Sequence, residues 1–84
     1  MNKEKISLLV KEVADIEDIK DDEPLISGGI LDSFSVLILI SRLESDFKIR
    51  LEMSQLDIKK IDSVNLIYST IKKIIKELFF NFDK

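Results

Sequence analysis

Apolar residues recur at helical spacing in three separate stretches of the chain. The first stretch runs from about Lys3 to Ile16. Its apolar residues are Ile6, Leu9, Val10 and Val13. Residues three or four positions apart share one face of a helix, so this stretch predicts an amphipathic helix. The pattern returns from Asp32 or Ser33 to about Phe47, and again after Asp62, a candidate N-cap for the last helix. An all-α fold is therefore predicted.

The second and third predicted helices each carry a regular core-facing stripe. In the second helix the stripe consists of Val36, Leu39, Ile40, Leu43 and Phe47. In the third it consists of Val64, Ile67, Tyr68, Ile71, Ile74, Ile75 and Leu78. At about 100° per residue, each set falls on one side of its helix. We therefore expect these side chains to form the core.

The connections complete the predicted architecture. A long acidic loop passes through Pro24 and Gly29, Lys48–Met53 is extended, and Ser54–Ile58 forms a short helical turn. Part of an aromatic tail is expected to close the end of the core. This tail comprises Phe79, Phe80 and Phe82. The prediction is a single domain over residues 1–84, a small bundle of three principal helices plus a short minor helix before the last.

The second helix has a further apolar surface, which we call the outer face. Its members point away from the core stripe and are Phe34, Leu37, Ile38 and Ser41. A small bundle cannot bury a helix on all sides, so these residues are expected to be at least partly exposed. Two interpretations are open: a contact surface for a partner, or a patch covered by the long loop. The first is favoured because the patch adjoins Ser33.

Composition limits the kinds of chemistry available. The chain has 84 residues, 45% of them hydrophobic, and contains no Cys and no His. Disulfides and thiolate metal sites are therefore excluded. The acidic loop lacks the spacing of a calcium loop, so no metal site is expected. The longest apolar run, Val36–Ile40, is too short to span a membrane, and the N-terminus has no apolar signal core. A cytoplasmic protein is expected.

Negative charge is concentrated in the first loop. The net charge is −3, and seven acidic residues but only one basic residue, Lys20, lie between Asp15 and Asp32. Such a surface would repel phosphates, so nucleic acid is not an expected partner. The acidic loop has two possible roles: it binds a basic patch on another protein, or it keeps the protein in solution.

The candidate functional residue is Ser33, in the stretch Gly28–Phe34 (GGILDSF). Asp32 is a good N-cap for the second helix, so Ser33 is not needed for capping. A serine nucleophile requires an adjacent base, but the chain has no His and no Lys near Ser33. Phosphate-loop and nucleophile-elbow motifs are also absent. We therefore expect a serine that another enzyme modifies, rather than self-contained catalysis.

The second helix and the loop before it resemble acyl carrier and peptidyl carrier proteins. The segment concerned is Leu25–Phe47, LISGGILDSFSVLILISRLESDF. The shared mark is an Asp-Ser pair opening the second helix and followed by a large apolar residue, here Asp32, Ser33 and Phe34. The start of the last helix, Ile61–Val64, also matches. The spacing Gly-Ile-Leu-Asp-Ser is closest to D-alanyl carrier proteins and other stand-alone carriers.

The resemblance implies a role for each residue of the site. Ser33 receives a 4′-phosphopantetheine arm from coenzyme A through a separate magnesium-dependent phosphopantetheinyl transferase, with Asp32 as part of the motif. An adenylating ligase loads an acyl or aminoacyl group on the arm's thiol as a thioester. A downstream acyltransferase or synthase receives that group. Partners dock on Phe34, Leu37, Ile38 and Ser41, with Asp32 and Glu44 contributing charge.

The resemblance leaves several functions open. A discrete acyl carrier in fatty acid or secondary metabolite biosynthesis is one, although Ser35 and Ile38 occupy positions where fatty-acid carriers frequently have acidic residues. A D-alanyl carrier for cell-envelope modification is another. An unmodified helical interaction module is the alternative without an arm, and an independent hydrolase is a more distant one. In the leading interpretation the protein is a monomer and not an enzyme.

Overall fold

The three predicted principal helices are all present in the structure, a computed structural model that describes residues 2–52 and 56–82, with side-chain burial described up to residue 79. The elements in chain order are α1 (Lys3–Ala14), α2 (Ser33–Phe47), a 3₁₀ helix (Ile58–Ile61) and α3 (Val64–Phe82). The described residues contain no strand. This confirms the small all-α bundle with a minor helix before the last. No helix within the described ranges is long and apolar enough to cross a bilayer.

The ends of α1 and α2 are set by their capping residues. The Asn2 side chain accepts a hydrogen bond from the Lys5 amide at 2.9 Å and starts α1. Asp15 adopts the left-handed conformation, with φ 56° and ψ 50°, and ends α1 two residues before the predicted Ile16. Lys48 adopts the same conformation, with φ 55° and ψ 48°, and ends α2 after Phe47 as predicted. A left-handed residue turns the chain away from the helix axis, which stops helix growth.

The core is one cluster contributed by every element. Its buried apolar residues are Ile6, Leu9, Val10, Leu25, Leu31, Val36, Leu39, Ile40, Leu43, Ile49, Leu51, Ile61, Val64, Ile67 and Ile71. The predicted stripes of α1 and α2 are confirmed, with Val13 and Phe47 packed at the margin of the cluster. Leu25 and Leu31 anchor the long loop, so the segment between them is held against the bundle.

The C-terminal half of α3 departs from the prediction. Its stripe is buried only as far as Ile71, whereas Ile75 and Leu78 are exposed. Phe79 is 75% exposed and does not close the core. The side chains of Phe80 and Phe82 lie outside the described part. With 19 residues, α3 is longer than α1 and α2, which have 12 and 15. The elements that pack against α3 are α1 and the 3₁₀ helix, and the fully buried residues of α3 lie in its first turns.

The minor helix begins later than predicted. A turn was expected over Ser54–Ile58, but the 3₁₀ helix covers Ile58–Ile61. Leu56 and Asp57 are not helical, and positions 54 and 55 lie outside the described residues. The Asp57 side chain accepts a hydrogen bond from the Lys59 amide at 3.0 Å, which fixes the start of the helix at Ile58.

The start of α3 also differs from the prediction. Asp62 was the expected N-cap, but the Ser63 hydroxyl accepts the hydrogen bond from the Leu66 amide, at 3.1 Å. Ser63 is buried, so this bond satisfies a polar side chain inside the bundle. The Asp62 carboxylate is therefore available to another part of the chain.

Charge substitution distinguishes the two faces of α2. Leu43→Asp is expected to unfold the domain, because a buried charge without a partner costs several kcal/mol and a domain of this size has little more net stability. Ile38→Asp on the outer face is expected to cost about 1 kcal/mol or less. Circular dichroism and urea unfolding measure both variants. Equal loss of helix in the two would contradict the assignment of the faces.

Candidate functional site

Ser33 is the first residue of α2 and is exposed. Asp32, in extended conformation, caps the helix through its side chain, which accepts a hydrogen bond from the Ser35 amide at 2.8 Å. The Asp32 carbonyl accepts a second bond, from the Val36 amide at 2.9 Å. Among the hydrogen bonds of the described residues, none uses the Ser33 hydroxyl. This hydroxyl is therefore accessible from solvent without any change in the helix.

The Asp32 carboxylate is held in its ionised form. The amide and then the hydroxyl of Ser35 are the main donors that lower the pKa of Asp32. An ionised carboxylate near the first turn also favours the positive end of the helix dipole. Lowering its pKa makes this group a weaker base, so Asp32 is suited to capping the helix rather than to accepting a proton from Ser33.

A groove of about 520 Å³ opens beside the serine, and we call it the Ser33 groove. It is lined by Ile26, Leu31, Asp32, Ser33, Val36, Leu37 and Ile58. The loop before α2 contributes the first three of these residues, which we call the loop wall, α2 contributes the next three, and the 3₁₀ helix contributes Ile58. Five of these lining residues are apolar, and the two polar ones open α2. The groove therefore offers an apolar surface directly beside a free hydroxyl.

Two glycines shape the loop wall of the groove. A Cβ at Gly28 would collide with the carbonyl oxygen of Pro24, so only glycine allows the two backbones to approach this closely. Gly29 has φ 80°, in the left-handed region that favours glycine. The loop is then closed by the Leu31 amide, which donates to the Leu25 carbonyl at 2.8 Å. The path of this loop therefore requires glycine at both positions.

The loop wall is tied to the start of α3 by Asp62. Its Oδ1 accepts hydrogen bonds from the Ile26 amide at 2.6 Å and the Ser27 amide at 3.0 Å. Its Oδ2 accepts a bond from the Ser27 hydroxyl at 2.5 Å. We call this arrangement the Asp62 clamp. Desolvation acts to raise the pKa of Asp62, but the Ser27 hydroxyl and the amides outweigh it, and the pKa is lowered.

The outer face of α2 lies next to the groove. Phe34 is 71% exposed and Leu37 51% exposed, and Ile38 and Ser41 are exposed as well. The alternative that the long loop folds over these residues is therefore wrong. Their role in binding a partner stays a prediction. Sequence reasoning missed Ile58, which is exposed and lines the same groove as Leu37. An apolar residue directly after the Asp57 cap was the available signal.

Glu44 lies further along α2 and is half-buried. Its carboxylate accepts a hydrogen bond from the Leu51 amide at 2.8 Å, in the connection that follows α2. The structure thus gives Glu44 an internal partner, and its predicted contact with another protein stays a prediction. In residues 2–52 and 56–82, no group of three or more acidic side chains is arranged to hold a metal ion.

Comparison with known proteins identifies the class. Residues 4–78 match the family described as the phosphopantetheine attachment site. Since the match spans most of the chain, this protein belongs to the phosphopantetheine carrier family, and its cofactor is covalently bound 4′-phosphopantetheine. A similar protein is the D-alanyl carrier protein of Streptococcus uberis. It is 35% identical over 60 residues, which are 71% of this chain and 75% of the relative.

The residues around Ser33 are compatible with this cofactor. The first amide groups of α2 lie at the positive end of the helix dipole, which favours a phosphate bonded at that point. The apolar lining of the Ser33 groove suits the uncharged part of an extended chain. When bound, the group supplies a thiol, which a chain without Cys lacks.

Replacing the two loop glycines tests this geometry. Gly28→Ala is expected to destabilise the domain by about 2 kcal/mol or more, because the new Cβ meets backbone, which cannot rotate away. Gly29→Ala has open space and is expected to cost about 1–2 kcal/mol, for the left-handed backbone alone. Urea unfolding measures both changes. A Gly29 variant less stable than the Gly28 variant would contradict the close contact at Pro24.

Proposed function

We propose that this protein is a discrete carrier whose phosphopantetheine arm is attached at Ser33. The observation that supports this most directly is the free, exposed hydroxyl of Ser33 at the first position of α2, with the cap supplied by Asp32. A transferase can reach that oxygen without opening the helix. Residues 1–84 then act as a single carrier domain that has no catalytic residue of its own.

Attachment is a phosphoryl-type transfer at the serine oxygen. The Ser33 Oγ forms a bond to the phosphorus of coenzyme A that bears pantetheine. The bond from that phosphorus to the bridging pyrophosphate oxygen breaks, and adenosine 3′,5′-bisphosphate leaves. The hydroxyl proton is released, so atoms and charge balance. The separate transferase brings magnesium and the base, since the lowered pKa of Asp32 makes that carboxylate a poor proton acceptor.

The outer face is the proposed docking surface for partner enzymes. Phe34, Leu37 and Ile38 present exposed apolar groups in successive turns next to Ser33, and Ser41 continues this surface. No acidic residue lies in the first turn of α2. Charge at this surface comes from Asp32 at one end and Glu44 further along. We therefore propose docking through hydrophobic contact, with these carboxylates in a secondary role.

The proposed cargo is an acyl or aminoacyl group, and the aminoacyl version has specific support. The relative in Streptococcus uberis is a D-alanyl carrier protein, and the similarity to it covers 71% of this chain. We propose an adenylating ligase as the loading partner and a downstream acyltransferase or synthase as the acceptor. Cell-envelope modification is the proposed setting for the aminoacyl version, and fatty acid or secondary metabolite biosynthesis for the acyl version. In both we propose a cytoplasmic monomer.

Intact-mass measurement tests the attachment site. Incubation with coenzyme A, magnesium and a broad-specificity phosphopantetheinyl transferase is expected to add the mass of one phosphopantetheinyl group. Ser33→Ala is expected to abolish the gain, because it removes the hydroxyl at the first position of α2, and the Ser35 hydroxyl two positions later donates to Asp32. Ser45→Ala is the matched control, since Ser45 is an exposed serine at the other end of the same helix. Unchanged gain in the Ser33 variant would refute the proposed site.

A pair of leucines tests the docking surface. Leu37→Asp, at 51% exposure on the outer face, is expected to lower kcat/KM for ligase loading about tenfold, because it places a charge in an apolar contact. Leu8→Asp is the matched control: Leu8 is 54% exposed but belongs to α1. Both variants are expected to keep their helical content by circular dichroism. Equal loss of loading in the two would count against the outer face.

A further inference from the structure

We infer that Asp62 is a positioning residue for attachment at Ser33, because it fixes the loop wall of the Ser33 groove. This inference rests on the proposed function. Asp62 is 29 positions after Ser33 in the sequence and belongs to neither α2 nor the loop. Its effect on Ser33 is exerted through the Asp62 clamp, and it is not proposed to contact the reacting atoms.

The clamp joins two elements that line the groove. Ile26 lines the groove, and its amide donates the shorter of the two backbone bonds to the Asp62 carboxylate, at 2.6 Å. Ile58 also lines the groove and belongs to the 3₁₀ helix, whose last residue, Ile61, directly precedes Asp62. The Asp62 carboxylate therefore fixes positions 26 and 27 of the loop relative to the segment that carries Ile58. A transferase that docks over Ser33 meets a surface whose shape depends on this link.

Other contacts hold the loop against the core without using the Asp62 side chain. The Leu25 amide donates to the main-chain carbonyl of Asp62 at 2.8 Å, and this bond does not depend on the side chain. The Asn65 amide likewise donates to the Asp21 carbonyl at 3.0 Å. Leu25 and Leu31 are also buried in the core. Removing the Asp62 carboxylate therefore releases positions 26 and 27 while the base of the loop stays in place.

The two oxygens of Asp62 have different partners, which provides a conservative variant. Both backbone amides donate to Oδ1, whereas only the Ser27 hydroxyl donates to Oδ2. Asp62→Asn keeps one carbonyl oxygen for the two amides. Asp62→Ala removes both acceptors. Ser27→Ala removes only the hydroxyl bond and leaves the amide bonds intact. The three variants therefore remove different numbers of hydrogen bonds from the Asp62 clamp.

The experiment measures amide hydrogen exchange and arm attachment on the same proteins. In Asp62→Ala, exchange at Ile26 and Ser27 is expected to rise about tenfold or more, since hydrogen bonds to a charged acceptor are lost. The KM for this protein in the transferase reaction is expected to rise several-fold, with kcat changed less. Asp62→Asn is expected to restore most of both properties, and Ser27→Ala to lie between wild type and Asp62→Ala.

A stability control separates positioning from general destabilisation. Val10→Ala weakens the core from α1, away from the groove, and is expected to leave the KM and the exchange at positions 26 and 27 near wild type below its unfolding transition. If Asp62→Ala is modified as efficiently as wild type, the inference is overturned. It is also overturned if Val10→Ala raises the KM equally. Failure of the wild type to accept the arm at Ser33 would instead refute the proposed function, and the exchange data would still report the clamp.

Discussion

Burial of Leu25 and Leu31 at both ends of one short loop is the constraint on which the site depends. The two side chains enter the same core, and the Leu31 amide donates to the Leu25 carbonyl at 2.8 Å. The five residues between them must therefore turn back within a small space. Gly28 and Gly29 make that turn possible, one by its missing Cβ and the other by its positive φ. Because Leu31 is fixed in the core, the position of Asp32 directly after it is set as well, and α2 begins at Ser33.

Under the proposed function, the chain and its partner enzymes supply different chemical groups. The chain exposes the Ser33 hydroxyl to solvent and caps α2, which begins at that residue. It also provides an apolar groove beside the hydroxyl. Under the same proposal, the thiol comes with the phosphopantetheine arm and the base comes from the transferase, since the chain contains neither Cys nor His. The part of the chain itself is then to present the arm at Ser33, in a position set by the loop and by the first turn of α2.

Local sequence signals were sufficient to predict much of this structure. The stripes of α1 and α2, the first half of the α3 stripe and the exposed outer face follow from spacing within about two helical turns. The Asp32 cap follows from the residue type at that position. Ser33 is the proposed attachment site because of its neighbours in the sequence, Asp32 before it and Phe34 after it. Long-range relations were not predictable in this way. Asp62 looked like a cap, but its side chain bonds to Ile26 and Ser27, and periodicity carries no information on such a contact.

The unequal lengths of the helices have a consequence for how the domain unfolds. Beyond Ile71 the apolar side of α3 is only partly covered: Ile74 packs at the margin of the core, whereas Leu78 and Phe79 are exposed. A helical end held mainly by its own hydrogen bonds frays at a much lower free energy than the core. The last turns of α3 are therefore expected to unwind independently. The cooperative unfolding transition would then reflect the loss of α1, α2 and the part of α3 up to Ile71.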